Sequence, residues 1–450
     1  MAHGQASGKR GRLIVLPLAL YLFLSVLYLL AIPVGESPDE PGHLQCIEQV
    51  ALYQRLPLTE PAPAGDTWWS RGQILSGRMC YHMPLYYLVA GTILQSTAVI
   101  SGTNVPFQFP PTNEDFGAEA ALFIHDEPSL WQLPEPATLI SLRLLSLLLG
   151  LVTVVGSFAL GLRLMPQEPA IAVLAGVLAA GWPQLAFMSR AISNDALATA
   201  LAVITLLLLT RVGRPKRYIA LAVISALALL AKITVAFGIV VIIIAWIIEF
   251  AAYKEERADY IRAILVSAVM WLATAALLFF QPVLREHLTI SSSSFSGMST
   301  AARTAAYWKD FFVLTLSSGW ARLGWMNLPA PLIHAYVWWA FFALAAAAGL
   351  FLFWRNSTTI NQRILLWICI IWITAVVLSY LRININRLQP QFRFMLAAVP
   401  VLTSWAATGI LYGVRKELKL QWALVGGIAA FLVGYNLWFV LTIVQQAYQA

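Results

Sequence analysis

The chain has 450 residues, 60% of them hydrophobic and 11% charged, with a formal net charge of +8. That balance excludes a water-soluble globular enzyme and indicates a polytopic protein integral to the plasma membrane. Lys and Arg collect in the cytoplasmic loops of such proteins, so the positive charge reads as a topology signal and not as a nucleic-acid surface.

Residues 1–12 are polar and basic, and the apolar run behind them, 13–34, outlasts the core of a cleaved signal peptide. A first membrane helix is expected there, its N-terminus inside. Directly after it stands Gly35-Glu36-Ser37-Pro38-Asp39-Glu40-Pro41-Gly42-His43-Leu44. As a helix start this is a capping box, with Ser37 at the N-cap, Pro38 at N1 and Glu40 at N3. Capping accounts for those residues without chemistry. It does not account for Asp39 and His43, four apart on one face. The alternative is a catalytic carboxylate at the membrane rim.

The first outer segment, 35–138, is too long for a structureless connection. An amphipathic helix is expected over 38–54, with Leu44, Ile47 and Ala51 on one side and Gln45, Glu48 and Gln49 on another. An apolar, tyrosine-rich helix over 82–97, opening at His82 and carrying Tyr86, would lie in the membrane interface. Cys46 and Cys80 share this segment. An oxidising exterior would allow them to bond, but sequence does not show whether they meet. Loops rich in proline and acid follow, including Asn113-Glu114-Asp115 and His125-Asp126-Glu127.

Further spans are read near 139–163, 170–188, 195–211, 218–232, 233–252, 261–281, 333–354, 363–381, 391–412 and 421–443, about eleven in all. Cys369 is expected in the core of its span. With the N-terminus inside, Arg163; Arg211, Arg214, Lys216 and Arg217; Lys254, Arg257 and Arg262; Arg355 and Arg363; and Arg415, Lys416 and Lys419 all fall inside. Asp39 then falls outside.

Asn194 and Asp195 open the fourth span from that outer side, and Lys232 closes the fifth. Lys232 is either a functional cation or a snorkelling one, and Asp195 either functional or first-turn helix charge. The second outer segment, 282–332, holds a serine run, Ser291 to Gly297, that is a linker or a lid. Its aromatic residues, Trp308, Phe311, Phe312, Trp320 and Trp325, read as an interface belt. The third, 382–393, carries Arg382, Arg387 and Arg393 with no acid. These guanidinium groups suit an anionic partner such as a phosphate, or anchor lipid head groups.

Phosphate-loop, zinc-protease, nucleophile-elbow and CxxC motifs do not occur. A carboxylate base and a cluster of outer cations are what a group transfer with a phosphate leaving group needs.

The motifs Pro38-Asp39-Glu40-Pro41-Gly42-His43, His82-Met83-Pro84-Leu85-Tyr86-Tyr87, Arg143-Leu144-Leu145-Ser146, Ser193-Asn194-Asp195-Ala196-Leu197, Leu229-Leu230-Ala231-Lys232 and Gln391-Phe392-Arg393-Phe394 occur in this order across most of the chain. In that pattern the chain resembles GT-C superfamily membrane glycosyltransferases. It is similar to a bacterial branch related to protein mannosyltransferases and the aminoarabinose transferase. The resemblance implies one all-α transmembrane domain over 1–450, two interfacial helices in the first outer loop, and a polyprenyl-phosphate sugar as donor. It makes Asp39 the base, Glu40 and His43 its neighbours, and Lys232, Arg387 and Arg393 the donor-phosphate ligands, with His82, Tyr86, Asn194 and Asp195 in support. It implies inverting transfer at the outer face to a glycan, lipid or protein acceptor. No cofactor is assigned; a divalent metal on Asp39, Glu40 and His43 is an option. Many relatives read Gly-Arg-Tyr where this chain has Phe392-Arg393-Phe394, and the acidic insert around 112–136 has no counterpart. A flippase for lipid-linked glycan is disfavoured by spans almost free of mid-membrane charge. A non-enzymatic subunit of the same fold is the other alternative.

Overall fold

The computed structural model describes residues 13–55, 79–103, 105, 109–113, 116, 120–125, 137–293, 304–386 and 388–449. Arg387, most of the acidic insert and the serine run from Ser294 onward lie outside the described residues. The expected spans are all helical. They are α1 (Val15–Ala31), α4 (Ala137–Leu164), the pair α5 (Pro169–Ala180) and α6 (Pro183–Met188), α7 (Asn194–Leu209), α8 (Arg217–Ala231), α9 (Phe237–Ala252), α10 (Arg257–Phe280), α13 (Leu332–Asn356), α14 (Ile360–Asn386), α15 (Val399–Leu411) and α16 (Leu418–Phe439). The segments expected outside contribute α2 (Glu40–Tyr53), α3 (Leu85–Ser101), α11 (Pro282–Ser293), α12 (Ala305–Trp320) and a hairpin of β1 (Arg322–Leu323) with β2 (Leu328–Pro329). A short helix, α17 (Gln445–Gln449), ends the described chain.

Seven helical stretches among the described residues are long and apolar enough to cross a membrane. The remaining expected spans, α1, α5, α7 and α8, are shorter apolar helices. The core is built around α5, which is buried along its whole length against α1, α4, α15 and α16. The helices α13 and α15 approach most closely: a Cβ on Gly349 would lie 1.8 Å from the Trp405 carbonyl oxygen, and one on Gly409 2.0 Å from that of Ala345. Only glycine lets the two backbones touch.

Prolines set the interruptions that position the site. The span expected over 170–188 breaks at Gly181-Trp182, because Pro183 cannot continue the hydrogen-bond ladder and instead opens α6. The span expected from 391 starts as a 3-10 helix, Phe392–Ala398, ahead of Pro400 near the start of α15. The outer loop expected over 382–393 is shorter than read, because α14 runs on through Arg382 to Asn386.

Two expectations about the first outer segment are corrected. Ser37 is not the N-cap: α2 begins at Glu40, with Asp39 at the cap in the left-handed region, φ 66°. One half of the capping box survives, since the Glu40 carboxylate accepts from Ser37 N at 3.3 Å and from Gly35 N at 3.0 Å. Nor does α2 keep a wet face: Gln45, Glu48 and Gln49 are buried along with Leu44, Ile47 and Ala51. Helix α3 packs against it, with Gly91 set against Val50, and Leu139 and Leu142 of α4 belong to the same apolar cluster.

Candidate active site

Asp39 is the partly open member of an otherwise buried chain of charges. Its carboxylate, 25% exposed, accepts from Arg393, whose Nη1 also donates to Pro38 O at 3.2 Å. Arg393 Nη1 lies 3.6 Å from Asp195 Oδ2 on its other side. Asp195 Oδ1 in turn accepts from Lys232 Nζ at 2.6 Å, and Asn194 Oδ1 from the same ammonium at 3.2 Å. The run is therefore Asp39, Arg393, Asp195, Lys232, with the ring of Phe394 5.4 Å from the Lys232 ammonium and 5.0 Å from the Arg393 guanidinium. Two anions and two cations neutralise one another, which is what allows them to sit away from water.

Local structure puts each group there. Ser193 caps α7 through its hydroxyl, accepting from Asp195 N at 3.2 Å, and so turns Asn194 and Asp195 toward the site. Helix α8 stops at Ala231, and Lys232 is extended at φ −162°, so its side chain leaves the helix line. The 3-10 turn carrying Arg393 is held by Ser318, whose Oγ accepts from Phe392 N at 3.1 Å and donates to Pro390 O at 2.9 Å.

Glu40 lies apart from this chain. It is fully buried, and its carboxylate accepts from Ile192 N at 2.9 Å as well as from Gly35 and Ser37. Arg143 and Arg190 each approach it at 3.9 Å. The two arginines also clasp the chain leaving α1: Arg143 Nη1 donates to Ile32 O at 2.9 Å, and Arg190 Nη2 to Ser37 Oγ at 2.6 Å. Glu40 thus fastens the loop that presents Asp39. Sequence reasoning passed over Arg190. The signal was there, a lone arginine at the end of an apolar span.

His43 and His82 stack on one another, ring centroids 5.9 Å apart. Tyr87 Oη donates to Met79 O at 2.8 Å, so the 2.9 Å contact between His43 Nδ1 and that hydroxyl is donated by the imidazole. Burial, reinforced by the Lys232 charge, pushes the His43 imidazole down to about 3. Desolvation, with Lys232 and His43 nearby, pushes His82 well below its ordinary value. Both rings are neutral at physiological pH. Tyr86 is fully buried behind them, edge-on to His43 at 6.4 Å. Cys46 and Cys80 are joined in a disulfide, Cα atoms 5.3 Å apart.

Asp39, Glu40 and His43 do not converge as metal ligands: the first faces Arg393, the second is taken up by three backbone N–H groups, and the third faces Tyr87. Among the described residues no three of His, Cys, Asp and Glu gather around one point.

No family model and no curated protein matches the sequence. Solved structures do. The chain superposes on ArnT from Cupriavidus metallidurans bound to undecaprenyl phosphate with a TM-score of 0.53 and 13% identity, covering 96% of this chain and 70% of that one. Against the same protein in the apo state the TM-score is 0.56 at 12% identity, over 99% and 78% of the chains. The chain has a GT-C fold. The Archaeoglobus fulgidus oligosaccharyltransferase, solved with Zn and sulfate, superposes with a TM-score of 0.50 and 13% identity, over 95% of this chain and 53% of that one. At these identities the GT-C likeness is one of fold, and residue roles must be argued from this chain's own geometry.

Proposed function

We propose that the protein is a GT-C-type glycosyltransferase that moves a sugar from a polyprenyl-phosphate donor to an acceptor at the outer face of the membrane. The observation that carries this is the juxtaposition of a partly exposed carboxylate, Asp39, with two buried cations, Arg393 and Lys232, that share one counter-ion, Asp195. An ArnT structure of this fold was obtained with undecaprenyl phosphate, which supports a donor of that class. The disulfide within the segment that carries Asp39 forms in oxidising surroundings, which supports an outward-facing site.

In this reading Arg393 and Lys232 hold the donor phosphate. Asp39, released from Arg393 by the incoming anion, accepts the proton of the acceptor hydroxyl or amine as its oxygen or nitrogen bonds to the anomeric carbon. The bond from that carbon to the phosphate oxygen breaks, its electron pair leaves on the phosphate, and the two cations stabilise the charge that develops. One displacement inverts the anomeric centre. No step is routed through a metal. The donor set on one carboxylate and two cations favours this reading over a flippase, which needs no base.

The test is transfer from a labelled polyprenyl-phosphate sugar in membranes. Asp39→Asn should lose transfer by a factor of about 100 or more, the scale of a lost general base, while keeping its expression level and binding polyprenyl phosphate at least as tightly, because the carboxylate no longer competes for Arg393. Asparagine adopts the left-handed backbone as readily as aspartate, so the helix cap is kept. Undiminished transfer by this variant would remove Asp39 from the mechanism. Transbilayer movement of the lipid without any transfer would replace the reading with a flippase.

A further inference from the structure

The turn Met79–Tyr81 and the adjoining His82 are fastened far more heavily than a surface turn requires. Tyr87 Oη donates to the carbonyl of Met79 at 2.8 Å, Cys80 is bonded to Cys46 of α2, and Ser291 Oγ of α11 donates to the carbonyl of Tyr81 at 2.8 Å. His82 N closes the turn on Met79 O at 3.1 Å. Every residue of the turn thus has its own attachment, to three different helices. The side chains this arrangement presents are Tyr81 and His82, both half-buried. Their rings lie 4.2 Å apart, and His82 stacks on His43 behind. The imidazole of His82 makes no hydrogen bond to any described residue.

The position of this shelf names its ligand. Met83, next to His82, packs in one apolar cluster with Leu229 and Leu230, and Leu85 packs with Ala228 and Ala231, so the turn adjoins the end of α8 that leads into Lys232. In a polyprenyl-phosphate sugar the phosphate joins two groups, an apolar polyprenyl chain and a polar sugar ring. A polar aromatic shelf beside the cations that hold the phosphate suits the sugar and not the chain. A saccharide ring presents C–H groups on its faces and hydroxyls at its edge. Those match an aromatic face and an unpartnered neutral imidazole. Rigid mounting is what such a site requires, because small displacements of the ring move the anomeric carbon off line.

We propose that Tyr81 and His82 form the donor-sugar subsite, Tyr81 stacking on the sugar ring and His82 hydrogen-bonding one of its hydroxyls. The proposal rests on the transferase reading above and adds the part of the donor that the turn recognises.

The experiment compares two probes on the full-length protein in detergent: a polyprenyl phosphate, and the same lipid bearing a hexose on the phosphate. Wild type should bind the sugar-bearing lipid more tightly. Tyr81→Ala should lose roughly ten-fold in affinity for it, as stacking of this kind is worth, with its affinity for the bare phosphate lipid unchanged. Tyr81→Phe, which keeps the ring, should restore the preference, and His82→Phe should lose it while keeping the stack. If Tyr81→Ala weakens both lipids alike, or neither, the subsite proposal is overturned while the donor reading stands. If wild type binds neither hexose-bearing nor bare phosphate lipid, the donor reading fails, and the subsite with it.

Discussion

At the scale of single residues, the site depends on which charges are paired and which are left over. Glu40 and Asp39 are adjacent in sequence and differ in everything else. Glu40 is fully buried and its oxygens are taken by backbone N–H groups, whereas Asp39 keeps one side open. The difference comes from the left-handed backbone at Asp39, which turns the two side chains apart before α2 begins. His43 carries a pH consequence. Its folded-state pKa of about 3 lies below the unfolded value of 6.5, so the folded protein binds fewer protons than the unfolded chain in that window. Its contribution is complete above about pH 6.5 and is lost as pH falls toward 3, at up to about 1.4 kcal/mol per unit. Thermal melting of the wild type should therefore drop between pH 6.5 and 5 more steeply than that of His43→Gln. Parallel slopes for the two proteins would assign the acid sensitivity to other groups.

At the scale of elements, the bundle is assembled by close approach and by breaks in helices. The contact between α13 and α15 is backbone on backbone at Gly349 and Gly409. Gly349→Leu has no room and should cost about 3 kcal/mol or more by overpacking. The variant should show a large fall in melting temperature, while Gly413→Ala, whose Cβ meets nothing within 4 Å, should not. A Gly349→Leu protein that melts like wild type would mean that these helices are not packed as described. The helix breaks were partly legible, because Pro183 and Pro400 announce them. The burial of α2 was not. Its alternation of apolar and polar residues reads as a wet amphipathic helix, and only its packing within the fold, against α3 among others, removes the wet side.

At the scale of the whole molecule, charge placement sets the orientation. Arg163, Arg211 and Arg217 come together at the end of the bundle away from Lys232, the opposite end of α8. Single cysteines labelled with a membrane-impermeant maleimide on intact cells test this. Ser101→Cys, at the exposed end of α3, should react, and Glu256→Cys, exposed before α10, should not. The reverse pattern would turn the protein over and put the Asp39 site inside. The sequence by itself determined the membrane class and the helical segments, because those follow from composition and apolar run length, and its local motifs singled out the candidate site residues. It left open whether Lys232 and Asp195 do anything beyond anchoring and capping, whether Cys46 meets Cys80, and which of two adjacent acids faces the site. The tertiary structure joined Cys46 to Cys80, paired Lys232 and Arg393 with Asp195, and set Asp39 beside Arg393. The pairing between residues 39, 195, 232 and 393 depends on how α7, α8 and the 3-10 turn before α15 pack together, and no local pattern encodes that distance.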